Sequence, residues 1–370
     1  MSSPAISVVM SVFNGDALLT ESIDSILRQT FTDFEFVIID DGSNHSTLEI
    51  LSDFAKRDSR VRVFPQKNKG RAESLNRGID LVRSPLIARM DADDISLSSR
   101  LEEQFGFMNR HPEVGLLGSG VEFVTPGGKR IGFSQPPPLD DAELRIRMRS
   151  SNQFYHPTVI MRKEVVVAAG KYRKALCDAD DFDLFLRMAE RTKLASLPRP
   201  VLLYRIHAGQ ASIRSMSHQA LCVLAARAAF VARSRGVPDP LSGVDEITPE
   251  LVRKMGPTDE DIFHEVAGEH LHWISLLAKF DTDAALDVID RLLSLCKLSK
   301  SPVGKKVAVN GLLKAASIQF QHRRPAKALT LASRAALRDP MEASRVARMA
   351  LAHKVRKITH RLSRPREVTA

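Results

Sequence analysis

Short apolar runs alternate with amphipathic segments over residues 1–125. The runs are short, rich in β-branched residues and bounded by turn residues, which is typical of buried strands. Between them, apolar residues recur at helical spacing, as in the segment that begins near Asp16. Strands that alternate with helices predict a mostly parallel sheet covered on both faces. The predicted strands are Ile6–Val12, Phe34–Asp40, Val61–Phe64, Leu86–Met90 and Leu116–Phe123, and two further predicted helices are Ser46–Ala55 and Arg71–Leu81.

The pattern changes towards the C-terminus. Residues 126–150 contain PGG and PPP, which predicts a loop-rich segment, and a mixed region follows to about Ser212. Beyond Ser212 the strand signals stop and helical periodicity dominates. We therefore expect an α/β domain over residues 1–213 and an all-helical domain over residues 214–370. In open α/β sheets the ligand binds beyond the carboxyl ends of the strands.

Acidic residues cluster where two of the predicted strands end: DDGS occupies positions 40–43 and DADD positions 91–94. We expect these two strands to be neighbours in the sheet. Asp91 and Asp93 are two residues apart, so an extended backbone points both side chains to one side, where their charges repel unless a cation or a set of donors lies between them. Mg²⁺ and Mn²⁺ prefer oxygen ligands, and either could neutralise a diphosphate leaving group. This D-x-D pattern therefore predicts a divalent-cation site.

Each of these motifs also has an ordinary structural interpretation. DADD could cap a following helix, because acids favour a helix N-terminus, although the second acidic strand end makes this less attractive. Asp41 could accept the ring N–H of uracil or simply belong to an Asp-Gly turn. Lys69, Gly70 and Arg71 open the third helix and suit a phosphate group, but a solvated basic turn has the same composition.

Four segments, in this order and spacing, resemble family 2 glycosyltransferases of the GT-A fold: VVMSVFN (8–14), IIDDGS (38–43), NKGRAESLNRG (68–78) and ARMDADD (88–94). The likeness continues through HPTVIMRKEVVVAAGKY (156–172), ADDFDLFLR (179–187) and YRIHAGQAS (204–212), and thus covers about residues 5–213. The resemblance implies a Rossmann-like, mostly parallel sheet that binds a nucleotide-diphosphate sugar. It also implies a metal-dependent hexosyl- or related transferase that inverts the anomeric carbon.

The resemblance also implies roles on the donor side of the reaction. Phe13, Asn14 and Asp41 would frame the nucleotide. Asp91 would contact the ribose, and Asp93 would bind the metal.

The resemblance extends to the acceptor side. Asp181 aligns with the general base, and Asp180 replaces the glutamate that usually precedes it in the family. Acids at the start of a helix over Asp180–Ala189 also suit the helix dipole, so both interpretations apply there. In some relatives a histidine at the position of His207 completes the metal site, whereas a lone histidine is more often structural. We assign His156 and Asp180 to the acceptor side of the site. For His156, packing within a loop is the alternative role.

The cysteine content and the apolar runs of the sequence indicate the cellular compartment of the protein. Cys177, Cys222 and Cys296 lie far apart and form neither a metal-ligand spacing nor a disulfide framework, as expected in a reducing cytosol. The N-terminus lacks the pattern of a signal peptide, and no apolar run approaches the ~20 residues of a membrane helix. We therefore expect a cytoplasmic protein, at most peripheral at the inner face of the membrane.

The net charge of +10 arises entirely from residues 214–370, which hold 26 Lys/Arg and 16 Asp/Glu. Met341–Ser363 has the pattern of a basic amphipathic helix, which can lie on an anionic membrane surface or pack on its own domain. No aromatic residues interleave with the charges, so we expect no nucleic-acid partner.

The leading hypothesis is an inverting glycosyltransferase that uses a UDP- or dTDP-sugar and a glycan or lipid-linked acceptor in cell-surface polysaccharide synthesis. A second hypothesis is a sugar nucleotidyltransferase, which shares the alternating sheet and the paired acids. Such an enzyme normally has a Gly-rich loop after the first strand to hold a triphosphate. The corresponding segment here, SVFNGD, has a single glycine, which argues against this hypothesis. A catalytically inactive scaffold is a third hypothesis, and the presence of Asp91, Asp93 and Asp181 argues against it. The Q-x-x-R-W motif of processive synthases is missing from the sequence.

Overall fold

The computed structural model describes residues 3–15, 17–135, 137–298, 302–322, 324–346 and 348. The chain folds as two compact units, Met1–Pro257 and Thr258–Ala370. The strands found among these residues lie in the first unit: β1 (Ile6–Val12), β2 (Phe34–Asp40), β3 (Val61–Pro65), β4 (Leu86–Arg89), β5 (Ile95–Ser96), β6 (Val114–Ser119), β7 (Glu122–Val124), β8 (Arg130–Phe133), β9 (Ile160–Arg162), β10 (Lys193–Leu197) and β11 (Leu202–Arg205).

Fourteen α-helices occur among the described residues. In the first unit they are α1 (Ala17–Leu27), α2 (His45–Arg57), α3 (Arg71–Leu81), α4 (Arg100–Arg110), α5 (Asp141–Met148), α6 (Lys163–Ala168), α7 (Asp180–Ala189), α8 (Ala211–Arg214), α9 (Met216–Ser234) and α10 (Pro249–Lys254). In the second unit they are α11 (Asp259–Leu277), α12 (Thr282–Leu298), α13 (Pro302–Gln321) and α14 (Pro325–Arg338).

A seven-stranded sheet of order β10-β6-β9-β4-β1-β2-β3 forms the centre of the first unit. Its strands are parallel except β9, which runs antiparallel to β4 and β6. All seven residues of β2 are buried, as expected for an apolar strand in a sheet covered on both faces. The predicted mostly parallel α/β sheet is therefore confirmed.

The order of the strands corrects one expectation. The two strands that end in acidic clusters, β2 and β4, are not neighbours, because β1 pairs with both of them. Val12 at the end of β1 lies opposite Asp40, so the ends of the three strands remain at one edge of the sheet. Both acidic clusters therefore still reach the same edge, with the turn after β1 between them.

A second sheet of order β5-β11-β7-β8 accounts for two further corrections. The predicted strand Leu116–Phe123 is two strands, β6 in the large sheet and β7 in the small one. The chain changes sheet between them, where the Val121 amide donates to Ser134 Oγ rather than to a strand partner. Residues 126–150 are also more regular than predicted, because the PGG turn joins β7 to β8 and Asp140 caps α5 by accepting from the Glu143 amide.

The first unit extends beyond residue 213, where the sequence places the domain boundary. Helix α9 packs on α7, and the compact unit continues to Pro257. Every element of regular structure among the described residues of the second unit is a helix. Among the described residues, no helix combines the length and the apolar character needed to cross a bilayer. Most of the basic helix predicted over Met341–Ser363 lies outside the described residues, so its docking role stays a prediction.

Candidate active site

A cleft of about 370 Å³ opens at the carboxyl ends of β1, β2 and β4. Its volume falls within the range of small-molecule sites, and its place at the sheet edge is where open α/β folds bind ligands. The lining consists of residues 11–15, Asp41, Arg71, Ser74, Arg89, residues 91–93, His207, residues 209–211 and Arg214.

The turn after β1 forms one wall of the cleft. Asn14 has a φ of 51°, a conformation that asparagine tolerates better than most residues. Its side-chain oxygen accepts from the Asn44 amide at 2.9 Å, and its own amide donates to Ser43 Oγ at 2.9 Å. Phe13, held beside it, is 54% exposed. The structure thus brings both predicted residues to the cleft and leaves an aromatic face open to a ligand.

Asp41 organises the loop that leads into α3. One carboxylate oxygen accepts from the Lys69 amide at 2.8 Å and from Gln66 Nε2 at 2.7 Å, and the other accepts from the Gly70 amide at 2.8 Å. Gly70 needs its freedom because its φ is 91°. The Lys69 side chain is exposed, and neither Lys69 nor Gly70 lines the cleft. Their place in the structure is as amide donors to Asp41, while Arg71 is the residue of this segment that reaches the cleft.

The acids of the DADD segment lie in two different environments. Asp91 and Asp93 line the cleft, whereas Asp94 is buried and accepts from the Arg205 amide at 2.8 Å. Helix α4 begins only at Arg100. The segment therefore does not cap that helix, and the alternative interpretation is wrong.

Asp91 sits beside a buried cation that sequence reasoning missed. Arg89 Nη2 donates to Asp91 Oδ1 at 2.5 Å, and Arg89 is only 1% exposed. Burial raises the pKa of Asp91, Arg89 opposes that rise, and the neighbouring Asp93 adds to it. Within the described part of the chain, Nε and Nη1 of Arg89 have no hydrogen-bond partner. An arginine inside the apolar run of β4 was the available sequence signal, because a charge is buried only where something pairs with it.

His207 meets Asp93 in the cleft. Its Nε2 lies 3.1 Å from Asp93 Oδ2, and the two side chains are 23% and 37% exposed. A carboxylate and an imidazole that converge on an open cleft suit Mn²⁺, and the carboxylate suits Mg²⁺. The residues present therefore fit a divalent cation.

Arg71 connects the cleft to the start of α7. Its Nη2 donates to Asp180 Oδ1 at 2.7 Å and to the Cys177 carbonyl at 2.5 Å. Asp180 has a fully buried side chain, so its geometry favours positioning Arg71 over touching an acceptor. The predicted acceptor-side role of Asp180 stays a prediction.

Asp181 is the accessible acid at this helix start. Its Oδ2 accepts from Asn152 Nδ2 at 3.0 Å, and its side chain remains partly exposed. Burial raises the pKa of Asp181 to about 6; Asp180 adds to the rise and Arg71 opposes it. Asn152 was missed because it lies 29 positions away from Asp181 and carries no local pattern.

His156 lies in an aromatic cluster and does not line the cleft. Its Nε2 is 2.8 Å from the Tyr172 hydroxyl, and its ring packs against Phe185 with centroids 6.1 Å apart. Burial, with Arg89 and Arg71 nearby, holds the pKa of His156 well below its usual value. The imidazole is therefore neutral, and its acceptor-side role stays a prediction.

Comparisons with known proteins decide the family. Residues 7–168 match the family model described as Glycosyl transferase family 2. The chain is 32% identical over 210 residues to an uncharacterized glycosyltransferase, MJ1057, of Methanocaldococcus jannaschii, a match that covers 56% of this chain and 72% of that protein. The chain belongs to glycosyl transferase family 2. The resemblance read from the sequence motifs is thereby confirmed.

Two further proteins are similar to this family 2 glycosyltransferase. It is 31% identical over 206 residues to the O-antigen biosynthesis glycosyltransferase WbnJ of Escherichia coli, covering 55% of this chain and 80% of WbnJ. Residues 1–349 of S. aureus TarS, in complex with UDP-GlcNAc, have a similar structure, with a TM-score of 0.52, 14% identity, and coverage of 88% of this chain and 90% of that one. At this identity the TarS likeness shows a shared fold.

Proposed function

We propose that this glycosyltransferase moves a sugar, with inversion, from a UDP- or dTDP-sugar to a hydroxyl of a glycan or lipid-linked acceptor in cell-surface polysaccharide synthesis. The observation that carries the proposal is the meeting of Asp91, Asp93 and His207 in one cleft that Arg71 links to Asp180 and thus to Asp181. The role of WbnJ in O-antigen biosynthesis supports the acceptor class. The UDP-GlcNAc bound to TarS supports a uridine nucleotide donor.

The nucleotide would lie between the turn after β1 and the DADD segment. Phe13 offers an exposed aromatic face for a base, and Asn14 shapes the turn beneath it. Asp41 would accept from the ring N–H of uracil, because its Oδ2 accepts only the Gly70 amide among the described residues. Asp91, held by Arg89, would accept from a ribose hydroxyl.

Asp93 and His207 would hold the divalent cation through a carboxylate oxygen and Nε2. When bound, the cation would neutralise the charge that builds up on the nucleoside diphosphate as it leaves. Arg71, which lines the cleft, is a second positive charge at this end of the site. Its ion pair with Asp180 holds the guanidinium in place before the donor arrives, so little reorganisation is needed.

Asp181 would act as general base. As the acceptor oxygen forms its bond to the anomeric carbon, the carboxylate of Asp181 takes the hydroxyl proton, and the bond from that carbon to the diphosphate oxygen breaks on the opposite face. Asn152 donates to one carboxylate oxygen and so orients the other towards an incoming hydroxyl. A pKa of about 6 leaves Asp181 ionised at neutral pH and makes it a stronger base than an ordinary aspartate.

The raised pKa of Asp181 predicts an acidic limb in the pH profile. Because the base must be ionised, kcat/KM should fall about tenfold for each pH unit once the pH drops below about 6. An unperturbed aspartate would place that limb near pH 4. The profile is measured with saturating cation, and the far-UV circular dichroism at each pH serves as control. A flat profile down to pH 4.5 in the folded enzyme would contradict the role of Asp181.

A donor screen tests the proposal as a whole. The purified chain is heated with UDP-, dTDP- and GDP-sugars, with and without Mn²⁺, and the midpoint of unfolding is recorded. We expect a UDP- or dTDP-sugar to raise the midpoint, and Mn²⁺ to increase the shift, because ligands that bind the folded state stabilise it by mass action. The stabilising donor is then assayed for Mn²⁺-dependent hydrolysis.

The chain is also assayed with nucleoside triphosphates and sugar phosphates, and either of two outcomes would overturn the proposal. Release of pyrophosphate from a nucleoside triphosphate and a sugar phosphate would instead indicate a nucleotidyltransferase. Donor binding with no turnover, in the presence of Mn²⁺ and a range of hydroxyl acceptors, would indicate an inactive binding module.

A further inference from the structure

A second group of ligand-type side chains lies outside the residues assigned to sugar transfer. Cys177 and Asp178 precede α7, and His218 lies in the first turn of α9. One donor atom from each of these three side chains lies within 4.8 Å of the other two. Two segments about forty residues apart in sequence thus bring a thiol, a carboxylate and an imidazole to one point.

The contacts within this cluster are close. His218 Nδ1 is 2.6 Å from Asp178 Oδ2, and Ser215 Oγ donates to the other Asp178 oxygen at 2.8 Å. Cys222 lies one turn beyond His218, on the same face of α9, and its Sγ is 3.7 Å from His218 Nδ1. Two ligands on a tetrahedral zinc ion, at bond lengths of about 2.0 and 2.3 Å, are about 3.6 Å apart. The distance between His218 and Cys222 is therefore close to that of two zinc ligands, and Cys222 lies beside the three donor atoms that are within 4.8 Å of one another without being one of them.

The chemistry of the donor set selects the metal. Thiolate and imidazole groups are the ligands that Zn²⁺ prefers, and a carboxylate is accepted beside them. Mg²⁺ and Mn²⁺ prefer sites built from oxygen. This group is therefore suited to a different ion from the one that Asp93 would bind.

We propose that Cys177, Asp178 and His218, with Cys222 as fourth ligand, bind one Zn²⁺ ion that ties the segment before α7 to α9. On binding, the protons of the coordinating thiols pass to solvent, the imidazole binds as a neutral ligand with its ring proton on the nitrogen that does not face the ion, and no oxidation or reduction takes place.

The position of the cluster suggests that the ion would stabilise the start of α7. Asp181 is only three residues beyond Asp178, and Arg71 donates to the carbonyl of Cys177. An ion fixed to α9 would therefore hold the start of α7 and the arginine that lines the cleft. The zinc site itself does not rest on the proposed transferase function, because its ligands take no part in donor binding.

Cobalt provides a probe that distinguishes this site from the cleft. A thiolate bound to Co²⁺ gives a charge-transfer absorption band, which oxygen and nitrogen ligands do not give. The full chain, stripped of metal with a chelator, is titrated with Co²⁺ alone. We expect the band to saturate at one equivalent and to disappear when Zn²⁺ is added. Asp93→Asn should leave the titration unchanged.

Three ligand variants and one control complete the test. Cys177→Ser, which alters an exposed residue, and His218→Gln should each weaken Co²⁺ binding by more than about a hundredfold. Replacing a residue that only hydrogen-bonds to a metal ligand already lowers metal affinity by about 10–100-fold, and loss of a ligand itself should cost more. Cys222→Ser should reduce the intensity of the band by removing one of two thiolates. Cys296→Ser changes a buried cysteine of the second unit and should have no effect. Circular dichroism establishes that each variant is folded.

The opposite results are equally clear. If the wild-type chain gives no thiolate band, or if Cys177→Ser binds Co²⁺ as tightly as the wild type, the cluster is only the hydrogen-bonded Asp178–His218 pair and the zinc site is overturned. If Cys222→Ser leaves the band unchanged, Cys222 is not the fourth ligand.

Discussion

Asp181→Asn should reduce sugar transfer by about 10²–10⁴-fold, the range that a positioned general base contributes, while donor binding and the fold persist. An amide cannot take the acceptor proton. It can still accept the Asn152 hydrogen bond through its oxygen, so the helix start keeps its geometry. The measurements are kcat/KM for transfer and the dissociation constant of the nucleoside diphosphate. The value of kcat/KM should fall by the stated factor, whereas the dissociation constant should change little.

The matched control for this variant is Asp53→Asn. Asp53 is an exposed acid on α2 whose side-chain contact is the ion pair with Arg57, so its loss of charge should leave transfer unchanged. Asn152→Ala should give a smaller loss than Asp181→Asn, because the base remains but is less well oriented. An Asp181→Asn enzyme with undiminished turnover would remove Asp181 from the mechanism.

Asp93→Asn should lower transfer by about 10²–10³-fold, comparable with the loss of one preorganised electrostatic group from an active site. Its carboxylate reaches the cleft beside His207, and an amide there is a much weaker ligand for a hard cation. The variant should also need a higher Mn²⁺ concentration for half-maximal activity. The rate is therefore measured across a Mn²⁺ titration at fixed donor.

His207→Ala gives an independent reading of the same site. It should also shift the Mn²⁺ requirement upwards, whereas His111→Ala, which removes a partly exposed histidine outside the cleft, should not. If Asp93→Asn reduces the rate without any change in Mn²⁺ dependence, the cation site is wrong even though the residue matters.

The parts of the fold that the sequence predicts best are those with strong local patterns. β1, β2, α3 and α7 have the bounds expected from their apolar runs and polar flanks. The single predicted strand over residues 116–123 was wrong because buried apolar residues lie on both sides of the short Gly-Ser-Gly segment at 118–120, which does not by itself show that the chain changes sheet.

The site was predictable only as far as its residues are local. The acids at strand ends could be located because parallel strands end at one edge of a sheet. The residues that pair with those acids could not be located in this way. Arg71 and Asp180 are 109 positions apart, and His207 and Asp93 are 114 apart. Such pairs exist only after the chain has folded, so a motif gives one member and rarely its partner.

The cysteines illustrate the same limit. Their spacing along the chain is unlike that of a metal-binding protein, and the sequence therefore gave no reason to consider zinc. Adjacent Cys177 and Asp178 make half of the proposed site, and His218 with Cys222 at i and i+4 make the other half. Each half is unremarkable until α9 packs on α7 and brings the two together.

The Arg71–Asp180 ion pair has a consequence for the order of events in catalysis. One arginine lines the chamber where the nucleotide would enter and also anchors the helix whose next residue is Asp181. Because Asp180 already holds the guanidinium in place, a nucleoside diphosphate would pair with Arg71 without drawing it away from the helix. A bound donor would give the same side chain a second partner, so the start of α7, and Asp181 with it, would be held most firmly while a donor is in place.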